Sequence, residues 1–473
     1  MSVVKRLAKN VFSLFTGSFI SQFIGLLVTV YIARRLGAHQ FGVLAFAVAF
    51  VGYFKLITDW GITTLAIRNV ARERSLTRKY AGSIVVIQLL FSLVAFLVLV
   101  IFTGLFHFSP LKNRLIILYG IAFFSTAISL SWVFNAHEKM EYQSLLQVMG
   151  RIFYFAGVVL FLHYLSSVIV IPLAYILSSL IVGIVSFWLF SRFFGKISLD
   201  KDFNYWKKFI ISALPLGGSY IAVYLYYHFD TVMLSFMKGD TVVGWYNASY
   251  KIIFVVFSLA GFYSQAIFPV FSKQFKVSVA DLKSTFQRSV KLMTIVSIPL
   301  AIGGIILARP LISLIFGSDY VNGVRAFQIL SCVVIFTYIG RVYYAGLLSC
   351  DKQKAYFKIV ISCAVINLVL NLILIPPFSL NGAAMATAIT EGTSLLLCYY
   401  VFGKIVKVAI MKYISKPLIA SLIMGVILYL IKGWNLFLSA LLGVVIYSVF
   451  LFLIKGITIE EINKVKVALF AGR

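Results

Sequence analysis

Apolar residues dominate this chain in long, nearly unbroken blocks, and the short breaks between the blocks are rich in Lys and Arg. A helix needs about 20 apolar residues to cross the hydrocarbon core of a bilayer. On that length the pattern predicts fourteen crossings, at 11–33, 41–66, 82–106, 114–135, 143–164, 167–190, 209–237, 242–268, 291–308, 325–348, 356–376, 381–403, 413–431 and 434–454. A short polar break near 162–167 divides the fifth from the sixth, and Pro376-Pro377 ends the eleventh, because proline removes a helix donor and clashes with the preceding turn. Lys5, Arg6 and Lys9 ahead of the first block resemble the start of a signal peptide. No small-residue cleavage site follows and the block continues to Ile32, so it reads as a retained first helix.

An even number of crossings leaves both termini on one side. Taken alternately, the connections place 30 Lys and Arg on the side of the termini and 8 on the other. The positive-inside bias makes the first side cytoplasmic. The expected location is therefore a cell membrane, multi-pass, with both termini in the cytoplasm. The connections near 191–208 and 269–290 are the longest, and 279–293 and the tail from Ile459 read as surface amphipathic helices.

Composition agrees. Of 473 residues, 62% are apolar and 12% charged, against about 25% charged in a soluble domain. The net charge of +28 would point to nucleic acid on a soluble chain. Here the cations occupy the loops, so no nucleic-acid partner is expected, and membrane lipids are. Cys332, Cys350, Cys363 and Cys398 form no C-x-x-C pair and read as buried small hydrophobes, with no disulfide framework and no metal site. No G-x-x-x-x-G-K-[ST] phosphate loop occurs, so ATP is not the direct energy source.

A weak internal repeat is present. At an offset of 202, residues 29–47 align with 231–249, matching Thr-Val to Thr-Val, Gly37 to Gly239 and Gly42 to Gly244. The expected fold class is thus an all-α membrane protein with two six-helix lobes related by a pseudo-twofold axis along the membrane normal, plus two C-terminal helices. The corresponding divisions are an N-terminal lobe at 1–191, a cytoplasmic linker at 192–208, a second lobe at 209–404, and two further helices with a tail at 405–473. Pro215-Leu216-Gly217-Gly218 is expected to interrupt the seventh crossing as a hinge, or to serve local packing, and Pro269, Pro299 and Pro310 to mark ends or kinks.

Ionisable residues inside a membrane are costly and by default suggest function. The second crossing carries Lys55 and Asp59, four residues apart on one face, either a self-neutralising pair or a cavity cation with its neighbour. Arg151, Lys251 and Arg341 come from three other crossings, and guanidinium and ammonium groups suit a phosphate head group. Lys55, Arg151, Lys251 and Arg341 are the candidate substrate-binding cations. Snorkelling to an interface is the alternative for Arg151 and Arg341. Asp59, Asp230 and Glu391 are candidates for coupling to H⁺ or Na⁺, or for gating. His228 reads as packing. Arg34 and Arg35 stand on the outer rim, either as exit cations for anionic head groups or as a rim pair with no specific role. Tyr220, Tyr224, Tyr226 and Tyr227, with Tyr338, Tyr343 and Tyr344, are sugar-stacking candidates or interface and core residues.

Several stretches in order resemble a known family: Ala33-Arg34-Arg35-Leu36-Gly37 with Phe41-Gly42, Phe229-Asp230-Thr231-Val232-Met233-Leu234, Val243-Gly244-Trp245-Tyr246-Asn247-Ala248-Ser249-Tyr250-Lys251, Phe316-Gly317-Ser318-Asp319-Tyr320, and Asn381-Gly382-Ala383-Ala384-Met385-Ala386-Thr387. Over nearly the whole chain they resemble the O-antigen flippase type of polysaccharide transporter, in the multidrug/oligosaccharidyl-lipid/polysaccharide exporter superfamily. The resemblance implies fourteen helices, two lobes, a central cavity, and export of a polyprenyl-pyrophosphate-linked oligosaccharide by ion-coupled alternating access. It also implies hand-over to a polysaccharide polymerase or ligase. Relatives that flip lipid II are similar in placing cations on the second and eighth helices, which favours Lys55 and Lys251. No enzyme activity and no cofactor beyond a coupling ion is expected. The alternatives are a cation-coupled multidrug exporter and, further off, a membrane enzyme acting on lipid-linked sugars.

Overall fold

The structure, a computed structural model, describes residues 3–198, 203–431 and 433–457. Among them every regular element is helical. The chain forms two compact units, Met1–Asn247 and Ala248–Arg473. The first contains α1 (Val3–Asp59), α2 (Ile62–Arg72), α3 (Thr77–Leu105), α4 (Pro110–Ala127), α5 (Ser131–Ala136), α6 (Met140–Leu165), α7 (Val170–Phe194), α8 (Phe203–Lys238) and the start of α9 (Asp240–Val277). The second contains the rest of α9, then α10 (Val279–Ile306), α11 (Ala308–Ile315), α12 (Val324–Ser349), α13 (Gln353–Gly403), α14 (Met411–Leu430) and α15 (Leu436–Leu453).

Ten segments of the described residues are long and apolar enough to cross a bilayer. Two of them, of 60 and 51 residues, exceed one crossing, since about 20 residues span the ~30 Å core. Each breaks near its middle, at Gly37 (φ 72°, ψ 172°) in α1 and at Ser379 (φ 53°, ψ −132°) in α13. These breaks match the expected gaps between the first and second crossings and between the eleventh and twelfth. The count of fourteen is not recovered helix by helix, because α4 and α8 are not among the ten. Apolar side chains such as Leu90, Leu97, Leu160, Ile184, Leu396 and Val444 face outward, as lipid-facing positions do. The chain is a multi-pass integral membrane protein.

Four sequence expectations change. The second crossing, expected at 41–66, ends at Asp59; a tight turn at Trp60 and Gly61 (φ 43° and 81°) starts α2. There the backbone N–H of Thr63 donates to Asp59 Oδ1 at 3.1 Å, a carboxylate at a helix start, where the dipole favours it. The fourth crossing, expected at 114–135, is broken between α4 and α5, and the freed N–H of Leu130 donates to Ser186 Oγ at 3.0 Å. The segment 279–293 is no separate surface helix: it continues into α10, with Leu282, Phe286, Val290 and Met293 buried in the protein. Pro215 to Gly218 does not interrupt α8, whose helix runs through them; Gly217 instead gives room to the Trp60 indole, 2.5 Å from where a Cβ would stand. Pro269 and Pro299 likewise lie inside continuous helices, and Pro310 sits in the first turn of α11. The tail from Ile459 lies outside the described residues.

In lipid, apolar burial does not by itself drive helices together, so close packing and interhelical hydrogen bonds do. In the first unit α1 packs against α3, α4, α6 and α8. Ser144 of α6 donates to the Ser13 carbonyl at 2.8 Å, and Ser92 of α3 to the Phe123 carbonyl at 3.3 Å. Phe46, Phe50, Phe102, Phe106, Phe108 and Phe236 meet ring to ring and join α1, α3 and α8 at one end. In the second unit α12 packs on α10 and α13, and α14 on α10 and α15. Phe286 stacks on Phe402 at 4.4 Å and meets Tyr343 edge-on at 4.9 Å.

The repeat has a physical counterpart inside the first unit. A Cβ on Gly42 would run into the carbonyl of Asp240, and a Cβ on Gly244 into the carbonyl of Ala38. Gly42 and Gly244 are 202 apart, and so are Ala38 and Asp240. The contact is therefore reciprocal, as across a local twofold axis, and His39 Nδ1 lies 3.2 Å from Thr241 Oγ1, again at an offset of 202.

Candidate functional site: a cationic cavity in the first unit

Gln143, Gln147 and Arg151 recur every four residues on α6, so they share one face, with Tyr154 one turn further. This polar row borders a cavity of about 450 Å³. Across it, α7 contributes Tyr175, Ser178 and Ser179, α1 contributes Lys55, and the α4–α5 break contributes Thr126, Ser129 and Ser131. The break has a use here: it presents Ser129 and Ser131, whose hydroxyls lie 3.2 Å apart.

Lys55 Nζ donates to the Tyr175 hydroxyl at 3.2 Å and lies 5.8 Å from that ring's centroid. Tyr175 also meets Tyr154 edge-on at 5.8 Å, tying α6 to α7 beside Arg151. Asp59 turns away from Lys55. Its carboxylate accepts from Gln88 Nε2 at 2.9 Å and from the Thr63 hydroxyl and backbone. Sharing a helix face did not make the two an ion pair, because Asp59 sits at the start of α2 and is consumed there. Of the described residues lining the cavity, two carry positive charge and none a carboxylate. Both side chains are exposed, and with no carboxylate beside them the pair favours an anion.

The other expected residues stand elsewhere. Lys251, on α9, and Arg341, on α12, belong to the second unit and do not line this cavity; the Arg341 carbonyl accepts from Ser264 at 3.1 Å. Glu391 on α13 is half-buried and accepts from Thr337 of α12 at 3.4 Å. Asp230 on α8 is buried. The Tyr246 hydroxyl donates to one of its oxygens and the Thr231 backbone to the other, at 2.6 Å. Arg34 and Arg35 are exposed, Arg35 lying 5.8 Å from the Tyr31 ring centroid. Tyr338 donates to the Val256 carbonyl at 2.8 Å and Tyr343 lies in the aromatic core, so both serve packing. Tyr224 meets Tyr53 edge-on at 5.1 Å and His228 at 4.3 Å. The side chains of Tyr220 and Tyr226 lie outside the described residues.

Sequence reasoning missed the glutamines, serines and tyrosines of this cavity. The four-residue spacing of Gln143, Gln147 and Arg151 on an otherwise apolar helix was the signal available. It also missed Lys112, which lies just ahead of the fourth expected crossing at 114–135.

The pattern of the family described as "Polysaccharide biosynthesis protein" matches residues 7–275, more than half of the chain. That of the MatE family matches residues 215–373. Among curated proteins, the chain is 23% identical to one named as an O-antigen transporter of Escherichia coli (strain K12), over 79% of this chain and 92% of that protein. It is also 23% identical to Agl15 of Haloferax volcanii, named as a low-salt glycan biosynthesis flippase, over 93% and 95%. Among solved structures, the lipid II flippase MurJ in an inward closed conformation superposes with a TM-score of 0.77 at 16% identity, covering 92% of this chain and 97% of that one. An inward-facing multidrug transporter of the MATE family gives 0.66 at 15% identity, covering 83% and 95%. The fold is that of the MOP superfamily, and with more than half of its length matched by the family pattern, the chain belongs to the polysaccharide biosynthesis protein family.

Proposed function

We propose that this protein is a flippase that carries a lipid-linked oligosaccharide, joined through pyrophosphate, from the cytoplasmic to the outer leaflet of the cell membrane. The observation that carries this reading is the cavity of the first unit, with Lys55 and Arg151 and no carboxylate among its described lining residues. A pyrophosphate head group entering it exchanges water for an ammonium and a guanidinium, with hydroxyls of Tyr154, Tyr175 and the serines around them. A cationic drug meets like charge there and is repelled. The O-antigen and glycan relatives support a sugar-bearing cargo. Movement is by alternating access coupled to H⁺ or Na⁺. Asp230 and Glu391 are the carboxylates assigned to coupling, Lys251 and Arg341 are candidate cargo-binding cations of the second unit, and Arg34 and Arg35 lie at the exit. Both termini are cytoplasmic, and the product on the outer leaflet passes to a polymerase or ligase.

The test is transport in reconstituted vesicles. A fluorescent polyprenyl-pyrophosphate oligosaccharide is placed in one leaflet, and its arrival in the other is followed with and without a proton or sodium gradient. Wild type is expected to accelerate translocation, and Lys55→Met and Arg151→Met to lose it at equal protein. A folded wild type that leaves the lipid in place while expelling a cationic dye from the same vesicles would overturn the reading in favour of drug export.

A further inference from the structure

The positive charge of the cavity is not spread evenly along α6. Gln147 stands one turn from Arg151 and Gln143 two turns, about 6 and 12 Å along the axis, toward the end of α6 that the charge bias makes cytoplasmic. Of the side chains of this face, only Arg151 is charged; the other two are amides. On the facing wall Ser129 and Ser131 present hydroxyls at the helix break. Gln143 and Gln147 both line the cavity, Gln143 half-buried and Gln147 exposed. An amide offers one acceptor and two donors without charge. That set matches the vicinal hydroxyls of an uncharged sugar, each both donor and acceptor. A sugar carboxylate would find no cation at Gln143 or Gln147.

We infer that Gln143 and Gln147, with Ser129 and Ser131, form a subsite that reads the hydroxyls of a neutral sugar, while Lys55 and Arg151 hold the pyrophosphate to which it is joined. This rests on the proposed function and narrows it: the sugar nearest the lipid is uncharged. A site of this kind discriminates by hydrogen bonds rather than charge, since a ligand lacking the hydroxyls leaves the amides unpaired.

Calorimetric titration of the full-length protein in nanodiscs tests it, with three short-chain prenyl ligands: the bare pyrophosphate, the same bearing a neutral hexose, and the same bearing a hexuronic acid. In wild type the hexose ligand is expected to bind about tenfold more tightly than the bare one, and the hexuronate to gain little. In Gln143→Leu and Gln147→Leu the ratio of hexose to bare affinity is expected to fall to about one, whatever the bare affinity. Because each variant is judged by a ratio of two ligands on the same protein, a general loss of binding does not imitate the result. No gain from the hexose in wild type, a gain that survives both substitutions, or an equal gain from the hexuronate would overturn the inference. Bare pyrophosphate that binds Lys55→Met and Arg151→Met as well as wild type would instead sink the anion site of the proposed function, leaving the sugar ratio to be judged separately.

Discussion

Lys112 Nζ lies 2.8 Å from Asp240 Oδ1, with the two side chains only 11% and 15% exposed. Ser235 completes the group, accepting from the ammonium at 3.0 Å and donating to the same carboxylate oxygen at 2.6 Å. The ammonium also sits 4.2 Å from the centroid of the Phe46 ring, within cation–π range. The local sequence explains the placement. Ser109 and Pro110 start α4, the serine side chain accepting from the Lys112 N–H at 3.4 Å. Asp240 is the first residue of α9, at the positive end of its dipole.

Breaking such a pair by removing one partner leaves a charge among phenylalanines, which typically costs about 3–5 kcal/mol. Asp240→Asn is expected to lower the thermal midpoint of the detergent-solubilised protein by several degrees. Asp240→Asn combined with Lys112→Met is expected to lower it less, because no charge is then stranded. Thermal unfolding followed by light scattering checks both, and a single variant melting with wild type would show that the pair contributes nothing.

The reciprocal glycines make a second expectation. Alanine at Gly42 or Gly244 places a methyl group against a backbone carbonyl that belongs to a helix start and cannot swing aside. Overpacking of this kind costs about 1–3 kcal/mol. At Gly25 a Cβ meets nothing within 4 Å, and alanine there gains up to about 1 kcal/mol of helix propensity. Size-exclusion profiles of fluorescently tagged protein should show Gly42→Ala and Gly244→Ala depleted of the monodisperse peak and Gly25→Ala equal to wild type. Equal profiles for all three would mean the contact is loose.

Why these contacts were only half visible in the sequence follows from what periodicity records. Apolar block length located the membrane helices, and the Gly42–Gly244 match survived as a repeat because a close backbone approach tolerates no side chain. Lys55 and Arg151 were found because a charge in an apolar run stands out. Their neutral neighbours Gln143, Gln147 and Ser129 were not, since single polar residues in a membrane helix look alike whether they face a cavity or another helix. The breaks at Asp59 and Ile128 were missed because the hydropathy stays apolar across them while side chains such as Ser186 satisfy the freed backbone. Lys112 was passed over because its ion-pair partner Asp240 and the Phe46 ring over which it sits are distant in sequence.

Asp59 and Lys55 are four residues apart yet turn to different partners. Their substitutions should therefore act nearly independently, within about 0.5 kcal/mol in a double-mutant cycle. Lys55→Met is expected to abolish translocation with little change in melting. Asp59→Asn, which weakens the start of α2 and the bond from Gln88, is expected to act mainly on stability. Translocation rates and midpoints for the two singles and the double decide it; a double variant that regains the transport lost in Lys55→Met would restore the self-neutralising pair.

His137, in the turn between α5 and α6, gives a pH dependence. Thr77 has one hydroxyl proton, donated to the Arg74 carbonyl at 2.6 Å, so its oxygen accepts from His137 Nε2 at 2.8 Å, and the ring rests 4.4 Å from Phe194. Partial burial, then the positive charges of Arg74 and Lys139, hold its pKa below the usual histidine value. A histidine with a lowered folded pKa binds fewer protons folded than unfolded, so its contribution is present above the unfolded value of about 6.5 and is lost as pH falls below that, through the lower folded value. The thermal midpoint should decline as pH drops from about 7.5 to 5.5. His137→Gln keeps a donor toward Thr77 but cannot titrate, so it should remove part of that slope while leaving the upper end near wild type. Identical slopes in the two proteins would assign the decline to other groups.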